Sequence, residues 1–148
     1  MLRISSKGRY ASRLMLDLAL HYGRGPIFLK NIAERQELSE KYLSQLVVPL
    51  KVAGLINSSR GAHGGYSLAQ PPKKVTLAAI VLAVEGKLEV VECVGSRKVC
   101  DRVDACIVRD IWSEVSGKII TALESFTLQD MVERHKKKVE QYPLSYAI

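Results

Sequence analysis

The sequence predicts a mainly α-helical chain with one small β-hairpin, and three features of its patterning predict this class. Apolar residues recur every three or four positions over most of the chain, as on the buried faces of amphipathic helices. Four of these stretches follow a residue suited to helix capping: Ser5, Ser39, Thr76 and Thr127. Two short segments flank the glycine-rich turn 61–65, which indicates a hairpin.

The first predicted helix follows Ser5 and Ser6 and stops at Gly23. Its apolar face comprises Tyr10, Ala11, Leu14, Met15, Leu18, Ala19 and Tyr22. The basic residues near its start are Lys7, Arg9 and Arg13. We expect them to form a solvated face, with a phosphate contact from Lys7 or Arg9 as the alternative.

Residues 29–54 predict two helices joined by a tight turn at Glu37-Leu38. In the first helix, LKNIAERQ, the apolar residues share one face. Ser39 then caps the second helix, and Glu40 suits the helix dipole there. The second helix ends at Gly54, and its inward residues are Leu43, Leu46, Val47 and Leu50. Pro49 lacks a backbone donor, so we expect a bend or a loosening at this position.

The hairpin has INSSRG and GYSLA as its strands and Gly61-Ala62-His63-Gly64-Gly65 as its turn. Arg60 lies at the shoulder of that turn. An arginine beside a glycine-rich tip is shaped to enter a narrow minor groove of DNA. The alternative is an ordinary hairpin with a solvated arginine. Helix, turn, helix and hairpin together predict a winged helix-turn-helix DNA-binding domain.

The candidate DNA-binding residues lie on the second helix and on the wing. Polar positions near the start of the helix should face base edges in the major groove, and the wing should enter the minor groove. The helix positions are Ser39, Lys41, Ser44 and Gln45. The wing positions are Arg60, Gly61, Gly64 and His63, the last as a phosphate contact or a solvated side chain.

The positive charge of the chain is concentrated in its first half. The net charge is +7; residues 1–75 hold 12 Lys/Arg and 4 Asp/Glu, and residues 76–148 hold 10 and 11. The basic half coincides with the predicted reading module, which favours nucleic acid over membrane lipid or simple solubility. We therefore predict a DNA-binding domain at 1–75 and a second region at 76–148 that carries a cysteine loop and dimerisation helices.

The second region begins after the hinge Gln70-Pro71-Pro72. Thr76 should cap a buried helix, Leu77–Val84. The stretch LEVVEC has no assignable conformation, and residues 94–105 are predicted to form a loop.

A long amphipathic helix is predicted at about 104–125. Its apolar stripe comprises Ile107, Ile111, Val115, Ile119, Ala122 and Phe126. That stripe is longer than one small domain needs, which predicts a homodimer; packing on its own domain is the alternative.

The last predicted helix follows Thr127. Its inward residues are Leu128, Met131 and Val132, and the run Lys136-Lys137-Lys138 should be solvated. From Pro143 the chain reads as a tail.

Three cysteines stand close together as C-x6-C-x5-C: Cys93, Cys100 and Cys106. Polar and charged neighbours make thiolates plausible for two of them. The absence of C-x2-C pairs argues against a structural zinc site. Three wider-spaced thiolates suit an iron–sulfur cluster, which needs a fourth ligand. Zinc, a redox thiol switch and inert thiols are the alternatives.

Other patterns exclude several classes of protein. The sequence has no signal peptide and no apolar run long enough to cross a bilayer, so we expect a cytoplasmic protein. It contains no acid–base pair or phosphate-cradling loop, so we expect no enzymatic activity. A small metalloenzyme or cluster carrier is the remaining alternative class.

Several segments resemble the Rrf2 family of bacterial regulators over nearly the whole chain. They are ISSKGRYASRLMLDLA, KNIAERQELSEKYLSQLVVPLKVAGLI, SSRGAHGGYSLA and the three-cysteine loop before a long helix, and RGAHGGY and SKGRY are the most specific. The resemblance implies a winged helix-turn-helix homodimer that binds double-stranded promoter DNA and regulates transcription.

Members of the family with the cysteine loop carry an iron–sulfur cluster, commonly 2Fe–2S. The resemblance therefore implies Cys93, Cys100 and Cys106 as its ligands, with sensing of cluster or redox status and cluster-assembly proteins as further partners. Cluster-free repressors, controlled by a partner protein or by thiol oxidation, are the alternative within the family.

The chain departs from the cluster-binding pattern at three positions. Arg109 stands where cluster-binding members have a histidine ligand, and a protonated guanidinium cannot ligate. Arg9 stands where some members place an acidic ligand from the partner's first helix. Ser44 replaces a glutamate that discriminates sequences, whereas Gln45 and Arg60 match DNA-reading residues, so the operator should differ.

Overall fold

The computed structural model describes residues 3–142, which form seven α-helices and a two-stranded sheet. The first half contains α1 (Ser6–Leu20), α2 (Leu29–Gln36), α3 (Glu40–Val52), β1 (Ile56–Ser59) and β2 (Gly65–Leu68). After a single 3-10 turn at Pro72–Lys74, the second half contains α4 (Leu77–Glu85), α5 (Glu92–Gly95), α6 (Ile107–Glu124) and α7 (Leu128–Gln141). None of the helices in residues 3–142 has the length and hydropathy that a membrane span requires.

The four predicted caps are confirmed by side-chain hydrogen bonds. Ser5 Oγ accepts from the Lys7 amide at 3.2 Å, and Ser39 Oγ accepts from the Tyr42 amide at 3.3 Å. Thr76 Oγ1 accepts from the Ala79 amide at 3.1 Å. Each bond satisfies an amide that has no carbonyl partner within the first turn of its helix.

Thr127 begins α7 with a reciprocal pair of hydrogen bonds. Its hydroxyl accepts from the Asp130 amide at 3.1 Å, and the Asp130 carboxylate accepts from the Thr127 amide at 2.9 Å. The backbone hydrogen bond from Thr127 is the main reason that the pKa of Asp130 lies below its ordinary value. The C-terminal helix therefore starts at a fixed residue.

The predicted boundaries of two helices need correction, and one short helix was not predicted. α1 ends at Leu20, so Tyr22 leaves the apolar stripe and is about half exposed; Gly23 then turns the chain with a φ of +84°. α6 begins at Ile107 rather than near 104, because the preceding residues form a turn. Residues 92–95, which span the end of the unassigned stretch LEVVEC and the start of the predicted loop, form the short helix α5.

Other predicted ends lie closer to the observed ones. Each strand ends before its predicted last residues. α3 continues through Pro49 to Val52, and Gly54 ends it as predicted, with a φ of +74°. Lys136–Lys138 are exposed as predicted. The tail predicted from Pro143 lies outside the described residues.

One hydrophobic core joins both halves of the chain. α1 lies at its centre, and buried residues of α2, α3 and β1 pack around Leu14 and Leu18. Ile80 of α4 and the fully buried Leu128 of α7 belong to the same core. The predicted inward face of α7 is thus confirmed, and the C-terminal helix packs on the N-terminal module.

Backbone hydrogen bonds join the connection between α6 and α7 to the residues around the start of α4. The Leu77 amide donates to the Phe126 carbonyl at 2.8 Å, and the Leu128 amide donates to the Val75 carbonyl at 2.8 Å. These bonds surround a β-bridge between Thr76 and Thr127. The C-terminal end of α6 is therefore fixed to the core.

Asp17 is buried on α1 and binds α2 through its carboxylate. Arg35 donates to it from two guanidinium nitrogens, at 3.0 and 2.7 Å, and Gln36 Nε2 donates at 3.1 Å. The hydrogen bonds with Asp17 are the main reason that the pKa of Arg35 lies above its ordinary value. This bidentate pair holds α2 at a fixed position along α1.

Glu85, at the end of α4, binds the start of α1. Its Oε1 accepts from the Ser5 amide at 2.9 Å, from the Gly8 amide at 3.0 Å and from the Ser5 hydroxyl. A carboxylate at a helix N-terminus is favourable because it lies at the positive end of the helix dipole. The bonds link the second region directly to the first helix.

The wing is an antiparallel hairpin attached to the loop before α2. Ile56 pairs with Leu68 at its base and Ser59 with Gly65 at its tip. Ile27 and Tyr66 exchange both backbone hydrogen bonds, each at 2.8 Å. The wing therefore has a fixed orientation relative to α2.

We expect Arg35→Met to lower the free energy of unfolding by about 2 kcal/mol, since it leaves a buried carboxylate without its cation. Urea denaturation at constant protein concentration measures this change. The control is Lys30→Met, an exposed cation on the same helix, which should change stability by less than about 0.5 kcal/mol. Equal changes in the two variants would contradict a stabilising role of the pair.

We expect Gly65→Ala to destabilise the protein by about 2–3 kcal/mol, because a Cβ would overlap the Ile27 carbonyl and the φ of Gly65 is +124°. Gly61→Ala is the matched control. Gly61 also has a positive φ, but a Cβ there meets no atom within 4 Å, so about 1 kcal/mol is expected. Thermal unfolding of both variants tests the difference, and a smaller loss for Gly65→Ala would refute it.

Candidate nucleic-acid interface and cysteine loop

The polar positions predicted to read DNA lie on the outward side of α3. Lys41, Ser44 and Gln45 are exposed, and the predicted inward residues of the same helix are buried. Ser39 is exposed at the start of the helix, although its hydroxyl already binds the Tyr42 amide. Ser44 Oγ donates to the Lys41 carbonyl at 2.5 Å. Within residues 3–142, the side chains of Lys41 and Gln45 make no hydrogen bond, so their polar groups are available on this face.

The wing places its predicted residues in two different environments. Arg60, Gly61 and His63 are exposed at the tip. Gly64 is buried, and a Cβ there would meet backbone atoms of Ser59, Arg60 and Gly61. Gly64 therefore shapes the tip, and Arg60 is the charged side chain that the tip presents.

Residues beyond the predicted set also position this surface. Lys51 Nζ donates to Ser58 Oγ at 2.6 Å, which ties α3 to the wing. The rings of Tyr10 and Tyr42 meet edge to face with 5.6 Å between centroids, which ties α3 to α1. Neither contact follows from local spacing, so sequence reasoning did not find them.

Basic side chains of α1 lie beside this aromatic contact. The guanidinium carbons of Arg9 and Arg13 lie 5.5 and 5.9 Å from the Tyr10 centroid. Arg13 also binds Gln36, with Nε donating to its side-chain oxygen at 3.2 Å and a terminal nitrogen donating to its carbonyl. Arg13 is therefore a structural contact as well as part of the basic face, whereas Lys7 and Arg9 are exposed.

The three cysteines lie on one irregular segment before α6, and all three are free thiols. Cys93 is half-buried in α5, Cys100 is exposed, and Cys106 is half-buried at the position that caps α6. Within residues 3–142, no group of three or more His, Cys, Asp or Glu side chains is close enough to hold a metal ion. Three thiols match in chemistry three of the four ligands that an iron–sulfur cluster needs. In this structure they do not converge on one point.

Arg109, which stands where the resemblance implies a histidine, makes a structural contact. Its Nε donates to the Cys93 carbonyl at 2.8 Å, so the first turn of α6 is bound to α5. Two more contacts hold the segment: Arg97 pairs with Asp104, and Val103 is buried. The Arg109–Cys93 hydrogen bond thus anchors the segment to the long helix, and the Arg97–Asp104 pair lies within the segment itself.

The predicted apolar stripe of α6 is divided between two environments. Val115 and Ile119 are half-buried within the chain. The N-terminal part carries large exposed apolar residues: Ile107, Val108, Ile111 and Trp112. Ile107 alone is 70% exposed. The part of α6 nearest the cysteines therefore presents an uncovered apolar face.

Comparisons with known proteins agree with this architecture. Residues 4–134 match the model of the family described as Rrf2, iron-dependent transcriptional regulator. The regulator IscR of Photorhabdus laumondii is 38% identical over 135 residues, covering 91% of this chain and 82% of that protein. Such relatives are named as transcriptional regulators rather than enzymes.

Two solved structures have the same fold. The global cysteine regulator CymR of B. subtilis superposes with a TM-score of 0.76 at 41% identity, covering 90% of this chain and 98% of that one. IscR of T. potens superposes with a TM-score of 0.74 at 40% identity, covering 93% and 90%. The predicted fold class is confirmed, and the chain belongs to the Rrf2 family of transcriptional regulators.

Proposed function

We propose that this chain is a homodimeric regulator that reads promoter DNA with α3 and the wing and senses iron–sulfur or redox status through Cys93, Cys100 and Cys106. The observation that carries the proposal is the position of the thiols. They lie at the start of the helix whose apolar face is uncovered. One segment can thereby influence both the dimer contact and the DNA-binding heads.

Regulators of this family bind DNA, typically as dimers. In this chain we assign major-groove reading to Lys41, Ser44 and Gln45, because they are exposed on the first turns of α3. Ser39 starts the same helix and joins them. We assign the minor groove to Arg60, with Gly61 and Gly64 shaping the tip and His63 near the phosphates.

The charge distribution supports this assignment. Residues 1–75 carry a balance of +8, and the exposed Lys7 and Arg9 of α1 lie beside α3 through the Tyr10–Tyr42 contact. Cations next to a recognition helix can neutralise phosphates on either side of the groove. The DNA-facing surface would therefore extend from the wing to the start of α1.

The proposed dimer forms along α6. Its exposed residues, Ile107, Val108, Ile111 and Trp112, form an apolar surface that a second copy would cover. A two-fold axis through this surface would place two reading heads on one face, as palindromic half-sites require. Loss of these contacts would separate the heads and weaken binding to a two-part operator.

The sensing step concerns the segment between α5 and α6. When bound, an iron–sulfur cluster would supply one rigid link among three thiolates. The chain itself supplies the connection to α6: Cys106 is the residue directly before the helix, and Arg109 binds the Cys93 carbonyl. A change in this segment would alter the start of α6 and hence operator affinity, by a coupling free energy of about 1–3 kcal/mol.

A cluster-free regulator is the second candidate, and Arg109 favours it. Its guanidinium cannot ligate and is bound to the Cys93 carbonyl, and the match to CymR is as strong as that to IscR. In this case DNA binding would respond to oxidation of the free thiols or to a partner protein. The iron content of the protein separates the two candidates.

We expect Arg60→Ala to weaken binding to a selected DNA site about tenfold, because the arginine would contribute one minor-groove and phosphate contact. The slope of log affinity against log salt concentration should also become shallower by about 0.9, the value expected for the loss of one phosphate contact. Lys137→Ala removes an exposed cation on α7, outside both the basic half and the cysteine segment, and serves as the control. Equal losses in both variants would contradict the assigned role of the wing.

We expect protein purified without oxygen to contain iron and sulfide in equal amounts and to show visible absorption bands. Cys100→Ala should lose iron, sulfide and bands, whereas Ser96→Ala, a truncation on the same segment, should keep them. The iron-loaded and iron-free forms should then differ in operator affinity about 5–150-fold. A colourless, iron-free protein that still binds a specific operator would reject the cluster and leave the cluster-free candidate.

A further inference from the structure

The outward face of α3 is polar up to Gln45 and apolar beyond it. Val48 is 61% exposed and Val52 is 86% exposed, although both are large apolar residues. At about 100° per residue, both valines project on the side of Lys41 and Gln45, opposite the buried Leu50. The face assigned to base reading therefore continues as an apolar strip.

The fold does not account for valines at these two positions. Neither side chain is buried within the described chain. Valine also forms helices less readily than alanine or lysine, because its branched Cβ restricts χ1 against the preceding turn. A surface that contacts only water would gain stability from a straight polar side chain here. An apolar contact made outside the chain would explain the residue type at Val48, which lies within α3, whereas Val52 is the last residue of the helix.

We propose that Val48 is a specificity-determining residue that contacts the C5-methyl group of a thymine in the major groove. The inference rests on the proposed DNA-reading function and deepens it. Along the helix axis Val48 lies about 4.5 Å beyond Gln45, close to the roughly 3.4 Å rise between base pairs. It would face a base pair adjacent to the one that Gln45 faces, and of the four bases thymine alone presents a methyl group there.

Val52 provides an internal comparison. It has the same side chain on the same face, but it is the last residue of α3, about 6 Å further along the axis than Val48. Recognition helices direct their N-terminal part to base edges, and their C-terminal end leaves the groove. Val52 should therefore not contribute to base discrimination, and Val52→Ala serves as the matched control.

The test begins with full-length protein as purified, which selects its preferred duplex from a random double-stranded DNA library. Each thymine of that duplex is then replaced in turn by deoxyuridine, which lacks only the methyl group. Wild-type affinity should fall about three- to tenfold at one thymine in each half-site. Val48→Ala should bind the unmodified duplex more weakly by a similar factor and lose nothing further at that thymine.

The outcomes separate the inference from the proposed function. Val52→Ala should lose affinity at the same thymine as the wild type does. If Val48→Ala retains the full methyl dependence, or the wild type has none, the inference is overturned and DNA reading stands. If the wild type selects no sequence, the proposed function fails and the inference fails with it. Thermal unfolding of both variants should match the wild type, because both valines are exposed.

Discussion

The arrangement of the reading head depends on the buried carboxylate of Asp17. Arg35 and Gln36 bind it from the last turn of α2, and Arg13 of α1 binds Gln36 in return. The next residue, Glu37, turns the chain with a φ of +53°, so the start of α3 is set by contacts just before it. If α2 shifted along α1, the buried carboxylate of Asp17 would lose its hydrogen bonds to Arg35 and Gln36, which is unfavourable. The Asp17–Arg35 ion pair thereby fixes α2 and the turn from which α3 starts.

Patterns within a few residues of each other predicted the secondary-structure elements of this fold. They did not predict the contacts between residues far apart in the sequence. The caps Ser39 and Thr127 were identifiable because each binds an amide only three residues away. Asp17 and Arg35 are 18 residues apart, and the Ser5 and Glu85 contact spans 80. No spacing rule selects such partners among all the charged residues. The helices other than α5, and the wing, were therefore predictable, and the contacts that orient them were not.

The cysteine segment illustrates the same limit at the candidate site. Spacing identified the three thiols, and the family resemblance drew attention to Arg109. Spacing could not predict that Arg109 binds the Cys93 carbonyl, because the segment between them has no regular periodicity. Periodicity also found the apolar stripe of α6, but not that Ile119 is half-buried in its own chain while Ile107 is exposed.

The backbone hydrogen bonds of Phe126 and Leu128 hold the C-terminal end of α6, so the helix can tilt about that end. The helix has 18 residues and is therefore about 27 Å long. Its far end carries Cys106 and the exposed apolar face, whereas its near end is held by the start of α4. A tilt of about 5° about the fixed end would move the thiol end by roughly 2 Å, from the same helix length. Conversely, a displacement of that size at the cysteines would correspond to a rotation of only about 5° at the end of α6 that is held against the core.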